Sequence, residues 1–436
     1  VVEEERDKPE IEVLEADAIA PPEPVTRTTL LDGGVFTSFR YRDFRILWSG
    51  AFVSNTGTWI HTTVLLWFVK ELTDSNAWVG AVNLANYLPV FILVLWSGSL
   101  ADRLDRRKMI LATQSLMMLG ALALGICVSA GWTSLPVIIS ITAIMGVAFV
   151  FNFPAWRAII PDLVPRENML NGIALDAAQF NLARSVGPML AIPVLAFWNV
   201  ETAFYLNAAS FLTVIIALLF IRTPTPGSLR REGTLSHMTE GIRYAFGRDW
   251  SRNLLIVLAV LSFFGLSFLV LLPGLAKDEL GKGSGGYSAL LAALGIGAVI
   301  GAPLVTLLRR YLQERDIIRY SVLGFGICLL AISFCGVYWL CLLFTMGAGI
   351  TALMLSATIN TILQARVERE MRGRMMSLYI LVFQGIFPIG GLALGLASDA
   401  LSVRTALLIG AMACITAGLT ITLAPSLLRN ASSMEV

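Results

Sequence analysis

Twelve long apolar runs alternate with short polar segments along this chain of 436 residues. They fall at 44–69, 77–100, 109–130, 134–156, 171–197 and 200–221, and then at 252–273, 287–308, 317–336, 338–362, 374–397 and 402–424. A bilayer core roughly 30 Å thick requires about 20 helical residues to cross it. Membrane strands need only about ten residues of alternating pattern, so these runs predict helices. The narrowest division lies between the ninth and tenth runs, where Gly336, Val337 and Tyr338 mark the turn.

The longest polar interruption, residues 222–249, carries Pro224, Pro226, Gly227 and Gly233 and divides the runs six and six. Within it, residues 236–248 predict a short amphipathic helix lying on the membrane surface. The resulting organisation is a disordered cytoplasmic tail over 1–39, a first bundle over 40–222 and a central loop over 223–251. A second bundle over 252–428 and a cytoplasmic tail over 429–436 complete it. Residues 1–24 hold nine acids against Arg6 and Lys8, and such a segment cannot bury enough apolar surface to offset its ordering entropy.

Composition agrees with a lipid-facing exterior. Charged residues make up 14% of the chain, against about 25% in soluble domains. Their placement is more informative than the net charge of +2, which favours no polyanionic partner and no nucleic acid. Arg40, Arg42, Arg45, Arg103, Arg106, Arg107, Lys108, Arg166 and Arg222 fall on one side of the alternating topology. Arg309, Arg310, Arg315, Arg319, Arg366, Arg369, Arg372 and Arg374 fall on the same side in the second half, whereas Lys70, Lys277, Lys282 and Arg404 lie opposite. The positive-inside rule then puts both termini in the cytoplasm of a plasma (inner) membrane.

The halves carry traces of one ancestor. At a constant shift of 203 residues, Gly98 matches Gly301, Arg106–Arg107 match Arg309–Arg310, and Gly146 matches Gly349. Arg166–Glu167 match Arg369–Glu370, and Gly187 matches Gly390. Repeated bundles with a site near their interface are an architecture of secondary transporters.

The loop after the second run reads Gly98-Ser-Leu-Ala-Asp102-Arg103-Leu-Asp105-Arg106-Arg107-Lys108. It resembles the signature loop of the major facilitator superfamily, with Asp105 in place of that family's second glycine. Gly146 to Arg157, Pro161 to Glu167, Asn181 to Pro188, Phe204 to Phe211 and Gly57 to Ile60 narrow the likeness to the exporter branch that contains enterobactin and macrolide exporters. The resemblance implies an all-α membrane protein of twelve helices in two pseudo-symmetric bundles, working by alternating access. It implies a gating role for Gly98, Asp102, Arg103, Arg106 and Arg107, and a cavity lined by the first, fourth, seventh and tenth helices.

Within the runs, ionisable residues are costly and rank first as functional candidates. Arg184 lies mid-run, with Asp176 eight residues earlier on roughly the same face but about 12 Å away along the axis, so the two need not pair. His61 and the acids Asp102 and Asp176 are the candidates for proton coupling. Asn55, Trp59, Asn152, Arg184, Phe264, Asn360 and Gln384 are the candidate cavity residues. Amides and aromatics with few charges suit an amphipathic small molecule, drug-like or siderophore-like.

Five scattered cysteines and two histidines show no metal-ligand spacing, and no cofactor motif is present. The absence of GxxxxGK[ST] disfavours an ATP-driven pump, and the absence of HExxH and GxSxG disfavours an enzyme. The expectation is a monomeric exporter taking a small molecule and using a proton gradient. A lipid flippase or importer of the same fold, and a receptor-like binding protein without transport, stay open.

Overall fold

The computed structural model describes residues 34, 36–223 and 234–424. The acidic N-terminal segment, the C-terminal tail and part of the central loop lie outside them. Six helices form the first half: α1 (Arg42–Thr73), α2 (Asn76–Arg103), α3 (Arg106–Ser129), α4 (Leu135–Asp162), α5 (Met169–Phe197) and α6 (Val200–Phe220). A short α7 (Thr234–Phe246) follows, where the surface helix was expected over 236–248. The second half holds a helical tract α8 (Asp249–Glu279), α9 (Ser284–Leu308), α10 (Glu314–Phe334) and α11 (Tyr338–Arg366). It closes with the tract α12, built from Arg369–Ile380, Leu381–Gly385 and Ile386–Ala400, and with α13 (Val403–Leu423).

Eleven of these tracts are long and apolar enough to cross a membrane by length and composition. The expected count of twelve is therefore met by one helix fewer on that measure. The exception is α1, whose 32 residues suffice in length. Its centre carries Ser54, Asn55, Thr56, Thr58, His61, Thr62 and Thr63, which lower its hydropathy. Those polar groups are turned mostly into protein. Thr56, Thr58, Thr62 and Thr63 donate to carbonyls four residues back, so hydroxyls that would be costly in lipid are satisfied within the helix.

Each bundle is built on close helix crossings, and the repeat-related glycines mark them. A Cβ at Gly146 would overlap the Asn86 carbonyl of α2, and one at Gly349 would overlap the Leu294 carbonyl of α9. Gly187 admits Trp59 of α1 in the same manner that Gly390 admits the Phe263 carbonyl of α8. Small residues let backbones approach where no hydrophobic drive exists between helices in lipid.

Between the halves, α2 packs along α12 and α5 packs along α9. The repeat maps one of these contacts onto the other, as a pseudo-two-fold axis requires. Helices α4 and α11 make at most marginal contact with one another.

Two tracts are not regular α-helix. In α12, residues Leu381–Gly385 form a π-turn immediately before Pro388. Proline lacks an N–H and its ring clashes with the carbonyl four residues back, here Gln384, so the preceding turn widens. In α8, Leu266–Leu271 tighten to a 3₁₀ turn before Pro273, flanked by π-turns at Leu261–Gly265 and Leu275–Glu279.

Candidate functional site

The side chains expected to line a cavity come from both halves. On α1, Asn55 and Trp59 are half-buried. Asn55 Nδ2 donates to Gln179 Oε1 at 3.3 Å on α5. Trp59 meets Phe180 of α5 edge-on, with ring centres 6.2 Å apart. Phe180 is 41% exposed, so this aromatic pair is open on one side. One turn further along α5, Arg184 is half-buried and acts electrostatically on the Tyr87 hydroxyl of α2. Tyr87 in turn meets Phe387 of α12 edge-on, ring centres 6.0 Å apart. Tyr87 therefore connects the Arg184 side of the first half to the second half, three residues from Gln384 in the π-turn.

The other candidates are placed as follows. Asn152 is buried in α4. Phe264 lies in the first π-turn of α8, edge-on to Phe263 at 4.7 Å. Asn360 accepts from Gln364 Nε2 at 2.6 Å and bonds the Tyr379 hydroxyl, which itself donates to the Ser356 carbonyl at 3.1 Å. Asp176 is buried between α4 and α5, where it accepts from Trp156 Nε1 at 3.0 Å and feels the charge of Arg157. His61 stands apart from this group. It packs on Phe204 of α6, ring centres 4.8 Å apart, inside the first bundle and 5% exposed.

Of the signature loop, the side chains of Gly98, Asp102 and Arg103 lie outside the described set. Asp105 caps α3, accepting from the Lys108 backbone N–H at 3.0 Å, which gives a physical use for the acid at the glycine position. Arg106 pairs with Asp162 and donates to the Ala158 carbonyl at the end of α4. Arg107 donates to the Ile221 and Leu219 carbonyls at the end of α6, where a cation answers unsatisfied carbonyls. Both arginines brace the first bundle internally.

At the opposite end from this basic loop, a polar network joins the halves, and the sequence reading did not anticipate it. Lys70, 2% exposed near the end of α1, pairs with Asp278 of α8 at 2.8 Å and lies 3.6 Å from Asp74. Lys277 pairs with Asp74 at 2.9 Å. Asp74 takes the left-handed conformation (φ 54°) as the cap of α1, which turns its carboxylate toward α8. Lys277 and its hydrogen bond hold the Asp74 carboxyl below its ordinary range, with Lys70 adding to the effect. Alongside, Asp399 of α12 caps α2 from the other half. It accepts from the Asn76 N–H at 2.8 Å, the Ala77 N–H at 3.0 Å and the Ser75 hydroxyl. Asn76 Nδ2 also donates to Ser398 Oγ at 3.0 Å.

A signal for this network was present. Charges are scarce at that end, and Asp74 and Lys277 are 203 residues apart, the spacing of the repeat. Equivalent positions meet on a pseudo-two-fold axis, so opposite charges there attract where a symmetric pair would repel.

The chain matches the family model described as transmembrane secretion effector over residues 33–435. It is 26% identical to the staphyloferrin A transporter of Staphylococcus aureus, over 85% of this chain and 94% of that one. It is 24% identical to the multidrug efflux pump Tap of Mycolicibacterium fortuitum, over 82% and 90% of the two chains. It is 26% identical to the enterobactin exporter EntS of Escherichia coli, over 77% and 80%. In fold it is similar to a POT family transporter solved with a thioalcohol-conjugated peptide (TM-score 0.74, 14% identity, 89% of this chain and 97% of that one). It is also similar to a bacterial homologue of the lysosomal transporter Spinster (TM-score 0.68, 13% identity, 89% and 97%). The motifs, the paired six-helix bundles and the family match agree: the chain belongs to the transmembrane secretion effector family of the major facilitator superfamily and is a multi-pass membrane transporter, not an enzyme.

Proposed function

We propose that this protein exports an amphipathic small molecule across the plasma membrane by rocking its halves about the group Asn55, Trp59, Tyr87, Arg184 and Gln384. The observation that carries the reading is the network at Lys70, Asp74, Lys277, Asp278 and Asp399, which ties the halves together at one end of this polar, aromatic site. The basic loops lie at the other end, and the positive-inside rule assigns that end to the cytoplasm. On this reading the arrangement faces inward, the state in which an exporter loads. Bundles over 40–222 and 252–428 are the two moving bodies, and a monomer suffices for the cycle. The names of the relatives, which include siderophore, multidrug and macrolide exporters, support a cargo of that general kind.

Asp176 is the residue we assign to proton coupling, because it is a buried carboxylate between α4 and α5 with a tryptophan donor and an arginine beside it. His61 is the weaker assignment, since it faces α6 within one bundle. Flux of dye-like and macrolide-like compounds in sealed vesicles, with and without an imposed pH gradient, tests both parts. Saturable binding with no flux would overturn export. Flux indifferent to the gradient would overturn proton coupling.

A further inference from the structure

Arg184 is a strongly basic group at mid-span that, among the described residues, has no acid to answer it. Asp176 feels the charge of Arg157, and one of its two oxygens accepts from the Trp156 indole. Among the described residues, Arg184 has no hydrogen bond and no ion pair. The Tyr87 hydroxyl, a neutral dipole, lies within its electrostatic reach. A guanidinium keeps its proton under all physiological conditions. An unanswered charge at this depth is costly, and such charges line cavities or bind ligands.

Its neighbours are specific. The open Trp59–Phe180 pair lies one turn away, and Tyr87 leads on to Phe387 of the other half. A guanidinium one helical turn from an aromatic pair offers bidentate hydrogen bonds to an oxyanion, while the rings offer stacking surface to the body that carries it. We infer that Arg184 and Tyr87 form an anion subsite, and that the cargo is an amphipathic anion bearing a carboxylate-like group on an aromatic or other flat apolar body.

The inference rests on the site proposed above, but binding and flux separate the two. The full-length protein in nanodiscs is titrated with naphthalene-1-acetate and with its neutral isostere naphthalene-1-acetamide, read by quenching of tryptophan fluorescence. A hydrogen-bonded charge contact gives the acetate a preference of about 10- to 100-fold. R184Q removes that preference and leaves weak binding of the amide, while R184K retains part of it because the charge stays and the fork is lost. Equal binding of the two probes by the wild type, a failure of the acetate to bind, or an undiminished preference in R184Q would each overturn the anion subsite. Acetate preference without flux in vesicles would instead uphold the subsite and remove the export reading.

Discussion

On the inward-facing reading proposed above, the pairing of Lys70 with Asp278 strengthens closure at the end opposite the basic loops. Lys70 is 2% exposed, and its ammonium sits 2.8 Å from Asp278 and 3.6 Å from Asp74, with the Asp74 carbonyl accepting at 2.9 Å. The Asp278 side chain is 36% exposed, so water relieves part of any loss. Asp278→Asn keeps the shape and an acceptor but removes the nearer of two negative charges. Breaking a fully buried pair costs about 3–5 kcal/mol. With Asp74 remaining and one side wet, about 2 kcal/mol is the expected weakening of closure. That corresponds to about a 30-fold rise in the ratio of outward-open to outward-closed molecules. Spin labels at Leu72 and Leu401, both exposed at the outer ends of opposite halves, report this ratio as two distance populations. Asp249→Asn, at the far end of α8 and 76% exposed in its side chain, is the control and leaves the ratio unchanged. A ratio in the Asp278→Asn protein within twofold of the wild type would refute the latch.

Three further outcomes follow from the same contacts. Asp399→Ala strips the cap from α2 and leaves two backbone N–H groups and the Ser75 hydroxyl without their acceptor, so the same distance measurement shifts toward the open form by about 1 kcal/mol. Because closure depresses the Asp74 carboxyl, the closed form binds fewer protons there; its contribution is complete above the ordinary value of 3.8 and fades as the pH falls below it. The distance populations are therefore constant from about pH 7 to 5 and shift to open only in stronger acid, and a shift near neutrality would assign closure to another group. Gly390→Ala forces a Cβ onto the Phe263 carbonyl and costs about 1–3 kcal/mol in denaturation, whereas Gly373→Ala, with open space around it in a helix, costs nothing and stabilises by up to about 1 kcal/mol in the same assay.

Much of the architecture was legible because bilayer physics is one-dimensional. Length and hydropathy locate spans without knowing what they touch, and proline and glycine announce turns and crossings. The match of Gly146 to Gly349 and of Gly187 to Gly390, read along the chain, corresponds to repeated helix crossings. The first helix was found in spite of its low hydropathy, since its flanks and length still read as a span. Asp105 looked like a departure from the loop pattern and is a helix cap. The candidate site was only partly legible. Asn55, Trp59 and Arg184 were singled out as polar or aromatic groups in apolar runs, but nothing in the sequence associates Arg184 with Tyr87 on another helix. Likewise His61, as conspicuous in the sequence as Arg184, turns out to face α6.

The sequence by itself determined the solvent, the spans and their pairing into two related sixes, because these depend on local runs and on the spacing of glycines and basic residues between them. Only the tertiary structure decided which charges meet. Lys70 reaches Asp278, and Asp399 reaches the start of α2, across more than two hundred residues of chain. Those distances are set by how two rigid bundles sit against one another, a choice between arrangements of nearly equal packing that no local pattern records. The same choice leaves Arg184 without a hydrogen bond or ion pair among the described residues.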